Sequence, residues 1–170
     1  MLINIAAYQV AWFACVLGAA NQLAWSGTAV AAVVVGWHLQ RAGDRRSQLK
    51  LLGVALVLGL CVDSVLIGSG AVRFATGMLI ENTVPHWMLA LWLAFATTLT
   101  VSLRWLIARP LWAMGFGAVG GPLAYYAGMK FGAMSIPSPQ DGLLLIGVLW
   151  ALAMALLSFA VPRLSVERAT

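Results

Sequence analysis

Six long apolar stretches, separated by short polar segments, take up most of the chain. A hydrocarbon core about 30 Å thick requires roughly 20 apolar residues of helix per crossing, whereas membrane strands show short runs of alternating polarity. These stretches are continuous and rich in leucine and alanine, so the pattern predicts an all-α fold. We predict a single integral membrane domain over residues 1–170, a polytopic bundle of six transmembrane helices. The predicted spans are Leu2–Ala20, Leu23–Leu39, Leu49–Ser69, Pro85–Ala108, Pro110–Gly132 and Leu143–Val161.

Proline and glycine mark the ends of these stretches. Pro85 and Pro110 each fit the first turn of a helix, where the missing N–H would have no partner in any case. Gly70 can adopt the left-handed conformation that closes the third helix, and Pro162 is expected to end the last one. The segment 70–84 is too apolar for a solvated linker, so we expect it to lie along the membrane surface or to cap the bundle.

The basic residues lie almost entirely on one side of the predicted spans. The net charge is +5, yet only 9% of residues are charged and the mean hydropathy is +0.94. The positive-inside rule places the basic side, and with it both termini, in the cytoplasm. Such a fringe suits anionic membrane lipids and does not indicate nucleic acid as a partner. Eight of the ten Lys/Arg residues belong to it: Arg41, Arg45, Arg46, Lys50, Arg104, Arg109, Arg163 and Arg168.

Asp63 lies inside the third predicted span. It follows Leu51 by twelve residues, about 18 Å of helix at 1.5 Å per residue. A carboxylate at that depth costs about 2.5–3.5 kcal/mol on insertion scales, so it is expected to face the bundle interior. Two interpretations stay open. Asp63 either hydrogen-bonds within the bundle, with Ser64 as a neighbour, or binds a ligand or a proton.

Other polar side chains within or at the ends of the spans are further candidates. Polar groups on the first span can hydrogen-bond to another helix or contact a ligand. In the fifth span two tyrosines follow Pro122, where a missing backbone donor is expected to kink the helix and open a small cavity. The candidate ligand-binding residues are Asp63, Asn4, Tyr8, Gln9, Tyr125, Tyr126 and His86.

Small residues recur every fourth position along the fifth span, which is typical of close helix packing in lipid. One row is Ala113, Gly117 and Gly121, and a second contains Gly120, Ala124 and Gly128. We predict that Gly117, Gly120, Gly121, Ala124 and Gly128 pack against other helices. Packing within the bundle is the favoured interpretation. A docking face for a membrane-protein partner or a second copy is the alternative.

Metal and enzyme chemistry find little support in the sequence. His38 and His86 lie at opposite ends of their spans, so they cannot share a metal; His86 with Glu81 and Asp63 is the remaining combination. HExxH, P-loop and GxSxG motifs are absent, and ionisable residues are scarce. We therefore expect no metal, no cofactor and no catalytic residue, and we favour a protein that is not an enzyme.

Several local patterns together carry a family resemblance. They are Tyr8–Gly18, Asp63, Pro85–Trp87, Leu91–Leu99, Ser102–Trp105 and Gly120–Gly128, the last with a Gly-Gly-Pro-x-x-Tyr stretch. The chain resembles an uncharacterised family of small proteobacterial inner-membrane proteins, known only as a domain of unknown function. The resemblance covers nearly the whole chain. It implies a location in the bacterial inner membrane and no established activity.

Three hypotheses about function follow. The first is a protein that binds or moves a lipid-like or small amphiphilic molecule within the bundle, using Asp63 and the polar residues of the first span. The second is the substrate-capturing membrane subunit of an energy-coupling-factor transporter, an analogy at the level of the fold. The third is an accessory subunit of a membrane lipid-modifying system.

Overall fold

The structure is a computed structural model, and it describes residues 1–166. The chain is all-α and 77% helical, with seven helices in the described residues. The helices are α1 (Leu2–Ala20), α2 (Ala24–Arg41), α3 (Arg45–Gly68), α4 (His86–Leu99), α5 (Arg104–Ile107), α6 (Pro110–Lys130) and α7 (Pro139–Val166). Two short strands, β1 (Arg73–Phe74) and β2 (Met134–Ser135), pair antiparallel.

Three helices are long and apolar enough to cross a membrane: α1, α3 and α7, the last over Pro139–Leu164. Helix α4 is apolar but has 14 residues, about 21 Å at 1.5 Å per residue, against a hydrocarbon core of about 30 Å. Helices α2 and α6 are longer than α4 but carry more polar residues, glycine and proline. The sequence pattern predicts six spans. By length and composition, three helices among the described residues are long and apolar enough to be spans.

The prediction of one continuous helix over Pro85–Ala108 is wrong. Helix α4 ends at Leu99, and the four-residue α5 follows after a turn. The Thr97 and Thr98 hydroxyls donate to carbonyls three residues back, at 2.7 Å each. Threonine side chains that compete for backbone acceptors weaken a helix. The backbone N–H of Leu103 then donates to the Thr98 carbonyl at 2.8 Å and closes the turn.

The end of the last helix also differs from the prediction. Helix α7 continues through Pro162 to Val166, so Pro162 does not end it. Proline has no N–H to donate to the Ser158 carbonyl one turn back. The Arg163 guanidinium donates to the neighbouring Phe159 carbonyl at 2.8 Å. Gly70 has a φ of +73°, the left-handed conformation predicted for the residue after α3.

The helices pack in a continuous series. Helix α1 packs on α2 and α4, α3 lies between α4 and α7, and α6 packs along α7. The α1–α2 contact is very close, because a Cβ at Gly27 would lie 2.3 Å from the Cα of Cys15. Helices α1 and α6 are the two ends of this series, and they do not pack along their length in the described residues.

Side-chain contacts show which helix ends lie together. The Ser47 hydroxyl oxygen lies 2.7 Å from the Leu164 carbonyl oxygen, and the Ser102 hydroxyl oxygen lies 3.1 Å from the Met1 carbonyl oxygen. The starts of α1 and α3 therefore meet the ends of α4 and α7. We call this the basic end, because seven basic residues lie at it or beside it in the chain: Arg41, Arg45, Arg46, Lys50, Arg104, Arg109 and Arg163. The eighth, Arg168, is outside the described residues.

The segment 70–84 covers the opposite end of the bundle. The Trp87 indole N–H donates to the Thr76 carbonyl at 3.0 Å, and the backbone N–H of His86 donates to the Gly77 carbonyl at 3.0 Å. Val72, Phe74 and Val84 are buried. This segment was expected either to lie along the membrane surface or to cap the bundle, and the structure shows that it caps the bundle.

Candidate functional site

Asp63 lies in the bundle interior, and its side chain has no exposed surface. The Trp92 indole N–H, from α4, donates to its Oδ2 at 2.9 Å. The Tyr125 hydroxyl, from α6, donates to its Oδ1. One carboxylate on α3 therefore joins three helices. Its partners are Trp92 and Tyr125, and no hydrogen bond to Ser64 is seen in the described residues.

A glycine one turn before Asp63 makes room for the tryptophan. A Cβ at Gly59 would lie 2.4 Å from Cγ of Trp92, closer than side-chain carbons approach. The indole therefore packs directly on the α3 backbone, and its N–H reaches the carboxylate one turn further along. Gly59 and Asp63 thus form a Gly-x-x-x-Asp pattern that binds Trp92: the glycine leaves space for the indole ring, and the carboxylate accepts its N–H.

Trp150 of α7 packs behind this group. Its ring stacks on Trp92 at 4.5 Å between centroids and meets Tyr125 edge-on at 6.4 Å. Its indole nitrogen is buried and has no hydrogen-bond partner of good geometry in the described residues. A Cβ at Gly121 would lie 2.4 Å from Cγ of Trp150, so glycine is required there for α6 to approach this ring. We call Asp63, Trp92, Tyr125 and Trp150 the Asp63 network.

A cleft of about 500 Å³ lies between α1 and α6, on the side of the bundle where those helices do not pack together. Its wall is mostly apolar, and none of the residues that line it is charged. Ile5, Phe116 and Leu123 line its edge and are 39%, 46% and 62% exposed, so it opens sideways. We call it the α1–α6 cleft; it is lined by Ile5, Tyr8, Gln9, Trp12, Phe95, Thr98, Leu103, Phe116, Gly120, Gly121, Leu123, Ala124 and Trp150.

A small cavity of about 30 Å³ adjoins the cleft and reaches the Asp63 network. Trp92 and Tyr125 line this cavity, and Tyr8, Trp12, Phe95, Ala124 and Trp150 line both spaces. Its volume suits about one or two water molecules. Towards the end opposite the basic end, the Phe131 ring contacts Trp12 at 6.2 Å and Phe13 at 6.3 Å, and these contacts close the gap between α1 and α6.

The structure brings together four of the predicted ligand-binding residues. Asp63 and Tyr125 are bonded to each other, and Tyr8 and Gln9 line the α1–α6 cleft. Asn4 is buried away from the cleft, where it donates to the Thr97 carbonyl at 3.3 Å and accepts from the Ser102 hydroxyl. Its observed contacts hold α1 to the end of α4.

Two predicted residues lie elsewhere. Tyr126 is 41% exposed and points away from the Asp63 network, with the Lys130 ammonium 5.2 Å from its ring centre. His86 begins α4, stacks on Trp25 at 3.9 Å, and shares a 2.7 Å hydrogen bond with the Thr28 hydroxyl. No group of three or more His, Cys, Asp or Glu side chains among the described residues could hold a metal ion.

The small residues of α6 face two different surroundings. Gly117 and Gly121 meet α7, since a Cβ at Gly117 would lie 2.5 Å from the Trp150 carbonyl oxygen. Gly128 meets Met134, with a Cβ placed 2.9 Å from its methyl group. Gly120 and Ala124 line the α1–α6 cleft, and the atoms nearest to a Cβ placed at Gly120 belong to Phe116, at 3.7 Å and beyond.

Trp92, Trp150 and Gly59 were not predicted as site residues. Trp92 and Trp150 do carry a signal. They lie well inside apolar stretches, whereas tryptophans of a membrane-interface belt lie near the ends. Gly59 is one turn from the buried acid, which marks a face where another side chain can approach. Their association depends on contacts between distant helices, which no local pattern contains.

Comparison with known proteins bears on the family. A family model described as a protein of unknown function, DUF2878, matches residues 1–156. This chain belongs to the DUF2878 family. No curated protein and no solved structure matches it. Membership in DUF2878 therefore gives no activity, and the geometry of the cleft and of the Asp63 network has to carry the functional argument.

Proposed function

We propose that this protein is a multi-pass protein of the bacterial inner membrane that binds a lipid-like or small amphiphilic molecule in the α1–α6 cleft. The observation that carries the proposal is the cleft itself. Its volume of about 500 Å³ falls within the range of roughly 300–1,000 Å³ that is common for ligand pockets. Its wall combines apolar side chains with the polar groups of Tyr8, Gln9 and Thr98, which suits a hydrocarbon body with a few polar atoms.

In this proposal the six longer helices lie across the bilayer, with α4 spanning only part of its thickness. Helix α5 lies at the basic end. The positive-inside rule assigns the basic end to the cytoplasm, and the Met1 and Leu164 ends of the described chain lie there. The exposed rim of the cleft, Ile5, Phe116 and Leu123, then faces the hydrocarbon core. A ligand would enter sideways from the bilayer and not from water.

The contacts around Phe131 favour binding over movement across the membrane. Its ring meets Trp12 and Phe13 and closes the gap between α1 and α6 on the side away from the basic end. A molecule in the cleft therefore has a route back to the bilayer but no open route past these rings. We propose binding with lateral exchange.

Photolabelling tests the proposal. Purified protein in nanodiscs would be incubated with a diazirine-bearing fatty acid, irradiated and mapped by peptide mass spectrometry. We expect labels on the cleft wall, near Tyr8, Trp12 and Leu123. Gly120→Leu fills the cleft without a backbone clash, because the atoms nearest to the new Cβ belong to the Phe116 ring, at 3.7 Å and beyond. It should lower cleft labelling about tenfold, the effect of roughly 1.4 kcal/mol of lost binding.

Gly115→Leu is the matched control. Gly115 is on the same helix, has no atom within 4 Å of an added Cβ, and does not line the cleft. It should leave cleft labelling unchanged. Uniform labelling of all lipid-facing helices, or equal effects of the two substitutions, would contradict the proposal.

A further inference from the structure

A second pocket, separate from the α1–α6 cleft, opens at the basic end. It has a volume of about 420 Å³ and lies where α1 begins, α2 ends and α3 begins, beside the end of α4. Its wall has a larger polar share than that of the cleft. The polar residues that line it are Asn4, His38, Arg41, Gln48 and Thr100, and no acidic residue lines it.

A partly buried hydrogen-bond network lies at one wall of this pocket. His38 is only 8% exposed, and its Nε2 lies 2.9 Å from Oε1 of Gln48. The Thr100 hydroxyl donates to the same oxygen at 3.2 Å. Because the Gln48 carbonyl oxygen accepts both bonds, its amide nitrogen keeps its two N–H groups, which have no partner in the described residues. Gln48 lines the pocket, so these donors lie at its wall.

Arg41 supplies the positive charge. Its guanidinium carbon lies 4.7 Å from the centre of the Trp37 ring, and both residues line the pocket. Stacking on an aromatic face restrains a long side chain and leaves the N–H groups at the edge of the guanidinium free to donate. A restrained guanidinium beside amide donors, with no carboxylate in the wall, matches the geometry and charge of an oxyanion.

We propose that this pocket binds a phosphate group. The group can be carried by the headgroup of an anionic phospholipid or by a free phosphate compound, since both present the same oxygens. The inference does not depend on the α1–α6 cleft, whose lining shares no residue with this pocket. The pocket and the cleft can therefore be tested separately.

The test compares two arginines of the basic end. Arg41→Gln removes the charge that lines the pocket, and Arg46→Gln removes an exposed charge of the same end that does not line it. The full-length protein would be analysed by native mass spectrometry after exchange into phosphatidylglycerol or phosphatidylcholine, and by ³¹P NMR line broadening with inorganic phosphate. We expect Arg41→Gln to weaken retention of the phosphate-bearing probe about tenfold, the effect of losing a charge-assisted hydrogen bond. Arg46→Gln should have little effect.

The mass spectrometry and NMR measurements together distinguish a lipid headgroup from a free phosphate compound. Retention of phosphatidylglycerol that depends on Arg41, without broadening of inorganic phosphate, assigns a lipid headgroup. Broadening that depends on Arg41, without a preference for phosphatidylglycerol, assigns a free phosphate compound. Equal effects of the two substitutions would show a general attraction to the basic end, and that result, like the absence of binding in both arms, would overturn the proposal.

Discussion

The carboxylate of Asp63 accepts from two donors that face it from two helices. Asparagine can keep both contacts, because its Oδ1 accepts from the Trp92 N–H and its amide N–H can donate to the Tyr125 hydroxyl. Leucine offers no acceptor and leaves both donors unsatisfied. A buried unsatisfied donor costs roughly 1–3 kcal/mol, so the two together cost about 2–6 kcal/mol.

We therefore predict that Asp63→Asn folds with an unchanged or higher melting temperature. The melting temperature of Asp63→Leu should fall by several degrees. Scanning fluorimetry in detergent measures both. Because Asp63 lines neither the cleft nor the cavity, Asp63→Asn should also keep most of the photolabelling in the cleft. Loss of labelling by a stable Asp63→Asn protein would show instead that the carboxylate itself meets the ligand.

At the scale of the helices, α3 and α4 meet through Gly59 and Trp92. An added Cβ at Gly59 would lie 2.4 Å from Cγ of the indole, so Gly59→Ala must displace the ring and break its bond to Asp63. We expect this substitution to lower the free energy of unfolding by about 2–4 kcal/mol, the range for overpacking plus a lost buried hydrogen bond.

Gly53→Ala is the control for that prediction. Gly53 is on the same helix, and an added Cβ there has no atom within 4 Å. Alanine has the higher helix propensity, so this change should be neutral or stabilising by up to about 1 kcal/mol. Denaturant titrations of the two variants give the comparison. Equal stabilities would mean that the indole has room to move aside.

The helices also show how far the sequence can be interpreted. Helix α1 coincides with the first predicted span, because a long and mostly apolar run ends at the turn containing Asn21 and Gln22. The fourth predicted span breaks after Leu99, because Thr97 and Thr98 turn their hydroxyls onto the backbone. A hydropathy profile averages over that region, so it does not detect side chains that compete with the backbone for hydrogen-bond acceptors.

The same limit applies to the candidate site. Asp63 and Tyr125 could be identified because a polar side chain in an apolar stretch is costly and needs a partner. Trp92 could not be assigned as that partner, because it is apolar enough to fit any buried position and lies 29 residues away. A small cavity was predicted at Pro122, but Pro122 does not line the α1–α6 cleft, which arises where two helices fail to meet.

At the scale of the whole molecule, the two ends differ in charge. Seven basic residues lie at the basic end, while Arg73 and Lys130 lie towards the other. In a background without Cys15 and Cys61, we predict that Glu81→Cys reacts with a membrane-impermeant maleimide in intact cells. Arg46→Cys should react only after permeabilisation. Both positions are exposed, so the reverse pattern would place the basic end outside.

The bond between Asp63 and Tyr125 also has a consequence for how the protein is made. The two residues are 62 positions apart, so at roughly 5–20 residues per second the ribosome needs about 3–12 s to add the tyrosine after the acid. During that interval α3 carries its carboxylate without the α6 partner. A nascent chain that stops before α6 should therefore be retained by the insertion machinery or degraded.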